Sequence, residues 1–297
     1  MRDWQDLLHG AGAAANSACM NNSFAATETM KNIDWNQIWR DSQRQRKDKR
    51  EGNAFWNLRA PAFADHAKKT AYASHFIQLM NPQPDWSVLD IGCGAGTLAI
   101  PLNPLVRRIT AIDFSDVMID LLNRKCWEDG ITNIDPRVVS WEEDWETAGI
   151  TEHDVVIASR SLVVEDLQAA ISKLIAKARH KVFISAPVGD GPFDHRIFEA
   201  IGRDMQRCPD YICLYNLLNQ MGIFADVAFV TNETGNKTYS DINEAVEKFR
   251  WMIEDLTVEE ESLLRTYLEC HLVKQPERWV LDYHHPVRWA IISWSKS

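Results

Sequence analysis

The sequence predicts an α/β fold built on a parallel sheet, and three observations predict it. From Trp86 to about residue 206, short apolar runs alternate with amphipathic stretches, the pattern of successive βαβ units. The first run, VLDIG (88–92), opens directly into a turn carrying Gly92, Gly94 and Gly96 and then into a helical stretch, as nucleotide-type folds do. The chain has 297 residues, 45% hydrophobic and 25% charged, enough for one or two domains with a core that needs no disulfide or metal staple.

The elements follow in chain order. Residues 1–31 are poor in periodic apolar positions; at most a short helix near Trp4 to Leu8 is expected. Residues 34–80 carry apolar residues at helical spacing: Trp35, Ile38 and Trp39, then Phe55, Leu58 and Ala62, then Tyr72, Phe76 and Leu79. The basic run 44–50 between them is a solvated helix end or an anionic contact. Strands are expected at 87–92, 108–113, 134–139, 153–159 and 180–186. Helices are expected at 96–103, 115–129, 164–178 and about 192–206, with Ser115 as an N-cap. Beyond 207 the alternation stops: a helix at 209–223, a strand at 225–231, helices at 240–256 (Ser240 as cap) and 257–272, and a strand at 287–294. Thr257 and Glu260 have capping-box spacing.

The net charge of −10 disfavours a nucleic acid held chiefly by its phosphates. No uncharged apolar run approaches the ~20 residues of a membrane span, and the N-terminus lacks the continuous apolar stretch of a secretory signal. The six Cys include no C-x-x-C pair, so a reducing, cytoplasmic setting and no metal are expected.

The glycine turn reads G-x-G-x-G, with Thr97 where a dinucleotide fingerprint has its last glycine. Asp90 discriminates further. A carboxylate two residues before the first glycine opposes a pyrophosphate, which seeks positive potential at a helix N-terminus. It favours a cation, and S-adenosylmethionine carries an ammonium and a sulfonium and no phosphate. Asp113, 23 positions on at the end of the second strand, can accept hydrogen bonds from both hydroxyls of a ribose.

Residues 88–114 resemble the first two motifs of class I S-adenosylmethionine-dependent methyltransferases, and FWNLRAPAF (55–63) is similar to the leader segment of their small-molecule branch, of the type 11/25 kind. The resemblance implies a three-layer sandwich with a seven-stranded, mostly parallel, doubly wound sheet whose last strand is antiparallel. It divides the chain into an N-terminal arm and helical lid (1–85), a Rossmann-like cofactor core (86–231), a helical insertion (232–286) and the last core strand (287–297). It implies that Gly92, Cys93 and Gly94 pass along the methionine part of the cofactor, Asp90 holds its ammonium, and Asp113 holds its ribose. Phe114, Met118, Trp141 and Glu142 would lie beside the adenine, and Ser159 and Arg160 next to the methyl. The product would be S-adenosylhomocysteine.

The fourth strand ends in ASRSL, without the Asn/Asp-Pro-Pro-Tyr/Phe stretch of nucleobase and glutamine amino-methylating enzymes. Arg160 can pair with a substrate carboxylate or phosphate, or with Glu165 or Asp166. Arg160 and His195 are the candidate acceptor-orienting residues, and no general base is assigned. The two segments outside the core carry Trp56, Arg59, Tyr72 and Trp251, which suit the walls of an acceptor pocket under a lid. Two rivals to a small-molecule methyltransferase remain: an RNA or protein methyltransferase, and a cofactor-binding protein that transfers nothing.

Overall fold

The computed structural model describes residues 33–47, 71–205, 209–232, 238–250, 252–253 and 255–296. The chain runs α1 (Trp35–Lys47), α2 (Tyr72–Met80), β1 (Ser87–Ile91), α3 (Ala99–Leu102), a 3-10 turn at Asn103–Leu105, β2 (Arg108–Asp113), α4 (Asp116–Glu128) and β3 (Ile134–Val138). It continues through β4 (His153–Ser159), α5 (Leu167–Lys177), β5 (Ala178–Pro187), α6 (His195–Ala200), α7 (Tyr211–Gln220) and β6 (Asp226–Asn232). The last elements are β7 (Thr238–Tyr239), α8 (Ile242–Arg250), α9 (Val258–His271), β8 (Leu272–Gln275), β9 (Arg278–Leu281) and β10 (Val287–Ser295).

Seven strands form one sheet in the order β3-β2-β1-β4-β5-β10-β6. Its β3-β2-β1-β4-β5 portion is parallel, and β10 runs antiparallel to both neighbours. The central strands feed alternate residues to opposite faces. On β4, Val156 and Ala158 join a core with Trp39, Ile171, Leu174 and Leu214, beneath α1, α5 and α7. Val155 and Ile157 join Tyr72, Phe76, Leu102 and Leu122, beneath α2, α3 and α4. The result is three layers. β1 is buried at all five positions, as a strand covered on both faces must be. Pro136 is accommodated because β3 is an edge strand.

Ser115, Asp166, Asp194 and Asp210 cap α4, α5, α6 and α7 through their side chains, and Thr257 with Glu260 forms a full capping box on α9. Several boundaries depart from expectation, and α6 ends at Ala200, short of the expected 206. The first helix of the core is a single turn passing into a 3-10 turn, in a stretch that carries Pro101 and Pro104. α8 starts two residues later than expected, with Asp241 rather than Ser240 receiving the Glu244 N–H (2.9 Å), and ends at Arg250. The insertion is not only helical: β7, β9 and β8 form a separate three-stranded antiparallel sheet, which with α6, α8 and α9 encloses its own core of Ile197, Tyr239, Phe249, Leu264 and Leu268.

Where the insertion attaches matters for function. β6 runs parallel to β5, since both are antiparallel to β10. The chain therefore leaves β6 and re-enters β10 at the carboxyl edge of the parallel strands, the edge on which α/β sheets bind ligands.

α1 is held to the far side of β4 by specific bonds. Trp39, 5% exposed, donates its indole N–H to the Val164 carbonyl (2.8 Å). Asn36 donates to Asp166 (3.0 Å) and accepts from the Gln168 N–H (3.0 Å), and Arg40 pairs with Asp166. Removing a buried Trp costs ~3–5 kcal/mol. Trp39→Ala is expected to lower the unfolding free energy measured in urea by that order; a loss below ~1 kcal/mol would show that α1 is not docked on α5 and α7.

Candidate functional site

The carboxyl ends of β1, β2 and β4 bring the expected residues together. β1 delivers Asp90, buried at 2% exposure, with Oδ2 lacking any hydrogen-bond partner. Burial and, secondarily, the Asp113 charge push its carboxyl up to about 7, against the pull of Arg160. The chain then turns through Gly92 and Gly94, both at positive φ (67° and 54°). The N–H groups of Gly92 and Cys93 donate to the Ile112 carbonyl at 2.7 and 3.0 Å, pinning the turn to β2. A Cβ at Gly92 would lie 2.2 Å from the Ser161 Cβ, so β1 and the segment after β4 touch here. Cys93 is buried, and its thiol is pushed well above its ordinary range by burial; it is a packing group beside Asp90 and Asp113.

Asp113 does two things at once. Its Oδ2 accepts the Gly94 N–H and its Oδ1 the Ser115 N–H, both at 2.9 Å. It thus ties the glycine turn to the start of α4. The Phe114 N–H also lies against this carboxylate; two oxygens offer about four acceptor directions, so these bonds do not exhaust them. Burial raises its carboxyl, against the backbone N–H bonds, which lower it. Phe114 is half-buried and Met118 buried at the start of α4. Trp141 follows β3, packs on Trp145 with centroids 5.3 Å apart, and donates its indole N–H to the Ser161 carbonyl (3.0 Å). Its ring is thereby fixed at the same edge. Glu142 is exposed, and it is Glu143 that accepts the Ser140 N–H (2.8 Å).

The end of β4 is a polar knot. The Tyr72 hydroxyl donates to Ser185 Oγ and meets Ser159 Oγ, each at 2.7 Å, and Ser185 Oγ accepts the Arg160 N–H at 2.9 Å. Tyr72 is fully buried, and burial raises its phenol. It is not a pocket wall, as its place in the chain predicts, but the residue that binds α2 to the ends of β4 and β5. Arg160 sits at φ 57°, in the left-handed region, with its guanidinium carbon 4.3 Å from the Tyr72 ring centroid and 5.7 Å from that of Trp289. Asp166 pairs with Arg40, and Glu165 lies 3.9 Å from Arg44.

His195 is the first residue of α6, at the end of the loop after β5, with Nδ1 2.6 Å from the Asp190 carboxylate. That loop is tied to β10 by the Val188 N–H to Arg288 carbonyl bond (3.2 Å) and to His285 through the Gly191 carbonyl (3.1 Å). His195 therefore belongs to the same carboxyl edge of the sheet, beneath the insertion. Trp56, Arg59 and Trp251, and the leader segment 55–63, lie outside the described residues. Trp35 and Trp39 pack against the core under α1 rather than lining a ligand site. No cluster of three or more His, Cys, Asp or Glu able to hold a metal occurs among the described residues, and no helix among them is long and apolar enough to cross a membrane.

Ser185 and Trp289 carry no signal in the sequence, and Ser161 is marked only by its place at the end of the fourth strand. Ser161 holds β1 to the segment after β4 by donating to the Ile91 carbonyl (2.6 Å). Each acts across a separation of many residues, and no local pattern marks the contact.

The sheet order, the glycine turn and the two strand-end carboxylates define a class of protein, and comparison with known proteins agrees. A methyltransferase-domain family model matches residues 88–181. An uncharacterized protein of Haemophilus influenzae Rd is 35% identical over 245 residues, covering 81% of this chain and 88% of that one. Among solved structures, a candidate methyltransferase from Bacillus halodurans C-125 superposes with a TM-score of 0.51 at 12% identity, covering 75% of this chain and 98% of its own. Magnesium protoporphyrin IX methyltransferase from Synechocystis PCC 6803, solved with bound S-adenosylhomocysteine, gives 0.42 at 14%, covering 86% and 93%. The chain belongs to the class I S-adenosylmethionine-dependent methyltransferases. S-adenosylmethionine is the cofactor of that family, and the residues fit it: the buried, unpartnered Oδ2 of Asp90 beside the glycine turn calls for a cation.

Proposed function

We propose that the protein transfers a methyl group from S-adenosylmethionine to a small-molecule acceptor by in-line displacement. The observation that carries the cofactor assignment is the orphaned Asp90 oxygen. What supports a small acceptor is the insertion, which leaves and rejoins the sheet at the carboxyl edge, where a cover would exclude water and bulky partners.

The cofactor supplies an electrophilic methyl on a sulfonium, already a good leaving group. The chain's residues would then bind and align. Asp90 would hold the ammonium, the turn at Gly92, Cys93 and Gly94 would follow the methionine part, and the free lone pairs of Asp113 would take the ribose hydroxyls. Phe114, Met118 and the fixed Trp141 ring would flank the adenine, with Glu142 at its rim. Ser159 and Arg160 would face the methyl. Proximity and alignment carry most of such a reaction. If the acceptor must lose a proton, His195 would be the candidate: Asp190 on Nδ1 selects the tautomer with its proton there.

Two measurements test this reading. S-adenosylhomocysteine should bind by calorimetric titration, and methyl label from S-adenosylmethionine should appear in the low-mass fraction of a cell extract. Label in RNA or protein instead would overturn the small acceptor; binding without transfer would leave a cofactor-binding protein. Binding should also depend on pH. With Asp90 titrating at about 7, affinity for the S-adenosylhomocysteine ammonium rises as pH passes upward through that value and falls below it, and Asp90→Asn flattens the dependence. The sign for stability is opposite. The free folded protein holds the Asp90 proton more tightly than the unfolded chain, whose carboxyl titrates near 3.8. This group therefore costs the free protein stability as pH climbs from 3.8 to about 7. Bound ligand offsets that loss.

A further inference from the structure

We infer that His195 is the general base of the methyl transfer, so that the acceptor is a phenol or an enol whose hydroxyl oxygen receives the methyl; this rests on the proposed methyl transfer. The ring is held for that role. His195 Nδ1 stands 2.6 Å from the Asp190 carboxylate, which is 14% exposed, while the His195 side chain is 40% exposed. A carboxylate only accepts, so it places the ring proton on Nδ1 and leaves Nε2 with its lone pair. Among the described residues none bonds Nε2. Other histidines are committed elsewhere. His153 is buried with both ring nitrogens bonded, to the Thr151 carbonyl and to Thr110 Oγ1. His285 spends Nε2 on the Gly191 carbonyl. His271 pairs with Asp282 at the end of α9, its ring 4.3 Å from that of Tyr267.

The turn that carries this pair is pinned to the strand ends. Ser185, near the end of β5, accepts the Arg160 N–H, so the ends of β4 and β5 meet. Pro187 closes β5 and the chain folds back on it: Gly191, at φ 59°, would put a Cβ 2.8 Å from the Pro187 Cβ. The Gly191 N–H donates to the Val188 carbonyl (3.2 Å), and the Phe193 N–H to that of Asp190 (3.1 Å). The Gly189 N–H donates to Asp210 (3.3 Å). Ile197 and Ile201 bury the other side of α6 in the core of the insertion. His195 is thus fixed between the insertion and the end of β5, one strand from the β4 end where the methyl is proposed to lie. Imidazole is a base of moderate strength, and proton transfer to it is efficient when the donor is itself acidic. A phenol or enol meets that condition and an aliphatic alcohol does not. In the step, the acceptor O–H bond breaks and its proton goes to Nε2. The oxygen electron pair forms the new O–C bond, and the pair of the C–S bond returns to sulfur, giving S-adenosylhomocysteine. Nε2 then releases the proton to water.

The test uses the full chain and its His195→Ala and Asp190→Asn variants. Isotope-labelled histidines are followed by nitrogen NMR at alkaline pH, with the His195 signals assigned by their loss in His195→Ala. Nε2 of the parent should carry no proton, and Asp190→Asn, whose NH2 can donate to Nδ1, should move the proton to Nε2. His195→Ala should bind S-adenosylhomocysteine within about twofold of the parent. Its transfer of methyl label from S-adenosylmethionine into the low-mass fraction of a cell extract should fall by about 100-fold or more, and added imidazole should restore part of it. The product should be an ether: hydriodic acid releases its methyl as methyl iodide, and mild alkali, which frees the methyl of an ester, does not. Four results would overturn the inference: a proton on Nε2 of the parent, a rate in His195→Ala within about threefold of the parent, a loss that imidazole does not relieve, or label on nitrogen, carbon or an ester. If His195→Ala binds no S-adenosylhomocysteine, Asp190→Asn carries the rate comparison, with a loss of about tenfold or more expected. If the parent binds S-adenosylhomocysteine but labels no low-mass compound, it is the proposed methyl transfer to a small molecule that fails.

Discussion

Gly92→Ala should abolish cofactor binding and lower the unfolding temperature by roughly 5–15 °C, the fall expected of ~2–5 kcal/mol in a chain of this size. Two costs add. An alanine at φ 67° is disfavoured by ~1–2 kcal/mol. Its Cβ would lie 2.2 Å from the Ser161 Cβ and 3.0 Å from its Oγ, and relieving such overpacking costs ~1–3 kcal/mol more. Relief means moving Ser161, which breaks its bond to the Ile91 carbonyl and shifts Arg160 and the Trp141 anchor beside it. Gly130→Ala is the matched control: its φ is 64°, but no atom lies within 4 Å of the added Cβ. That variant should lose only the conformational share and keep S-adenosylhomocysteine affinity. Equal unfolding temperatures for the two would show that the contact between β1 and the segment after β4 is looser than the geometry states.

The same contact shows why the fold is easier to read than the site. The central parallel strands announce themselves because they are buried on both faces and read as apolar runs, as SVLDI does; β3, at the edge, is only partly buried. Seven strands and their helices follow from that local signal, with edges displaced by a few residues where prolines or a neighbouring cap such as Asp241 intervene. The second sheet has no such signal. β8 and β9 have four residues each and face a small core on one side; so short a strand shows no alternation that a helix end would not also show. The hairpin turn at Pro276 and Glu277 is the available clue.

Within the site, Asp90, Gly92 and Asp113 are legible because ligand chemistry fixes residue type and order along the chain. The knot that holds them is not. Tyr72 reaches Ser159 across 87 residues and Ser185 across 113, and serines at strand ends are common enough to pass unnoticed. The place of Tyr72 on an amphipathic helix reads as pocket lining. Packing turns its hydroxyl inward to the strand ends, where two serine oxygens satisfy a buried polar group that would otherwise be costly.

Asp113→Ala is the second large effect, and the structure changes what it should do. Ribose recognition alone would leave folding intact. Here the side chain also accepts the Gly94 and Ser115 N–H groups at 2.9 Å. Bonds to a charged acceptor are worth ~1.5–3 kcal/mol each, and removing the acceptor leaves buried donors unsatisfied. A stability loss of ~2–5 kcal/mol is expected together with at least a tenfold loss of S-adenosylhomocysteine affinity, about 1.4 kcal/mol. Asp113→Asn is not a gentle alternative. With Oδ1 and Oδ2 each receiving an N–H, an amide must point its own NH2 at one of them. Ser115→Ala provides the reference for a cap loss alone: it removes the bond from the Met118 N–H (3.1 Å), costs ~1 kcal/mol, and should spare binding. Whether Asp113 touches the ribose or only shapes the turn is answered by competition against S-adenosylhomocysteine. Adenosine should outcompete 2′,3′-dideoxyadenosine by about tenfold on the parent, and Asp113→Ala should erase that preference. If the variant binds both more weakly but keeps the preference, Asp113 acts through Gly94 and Ser115, and another group reads the sugar.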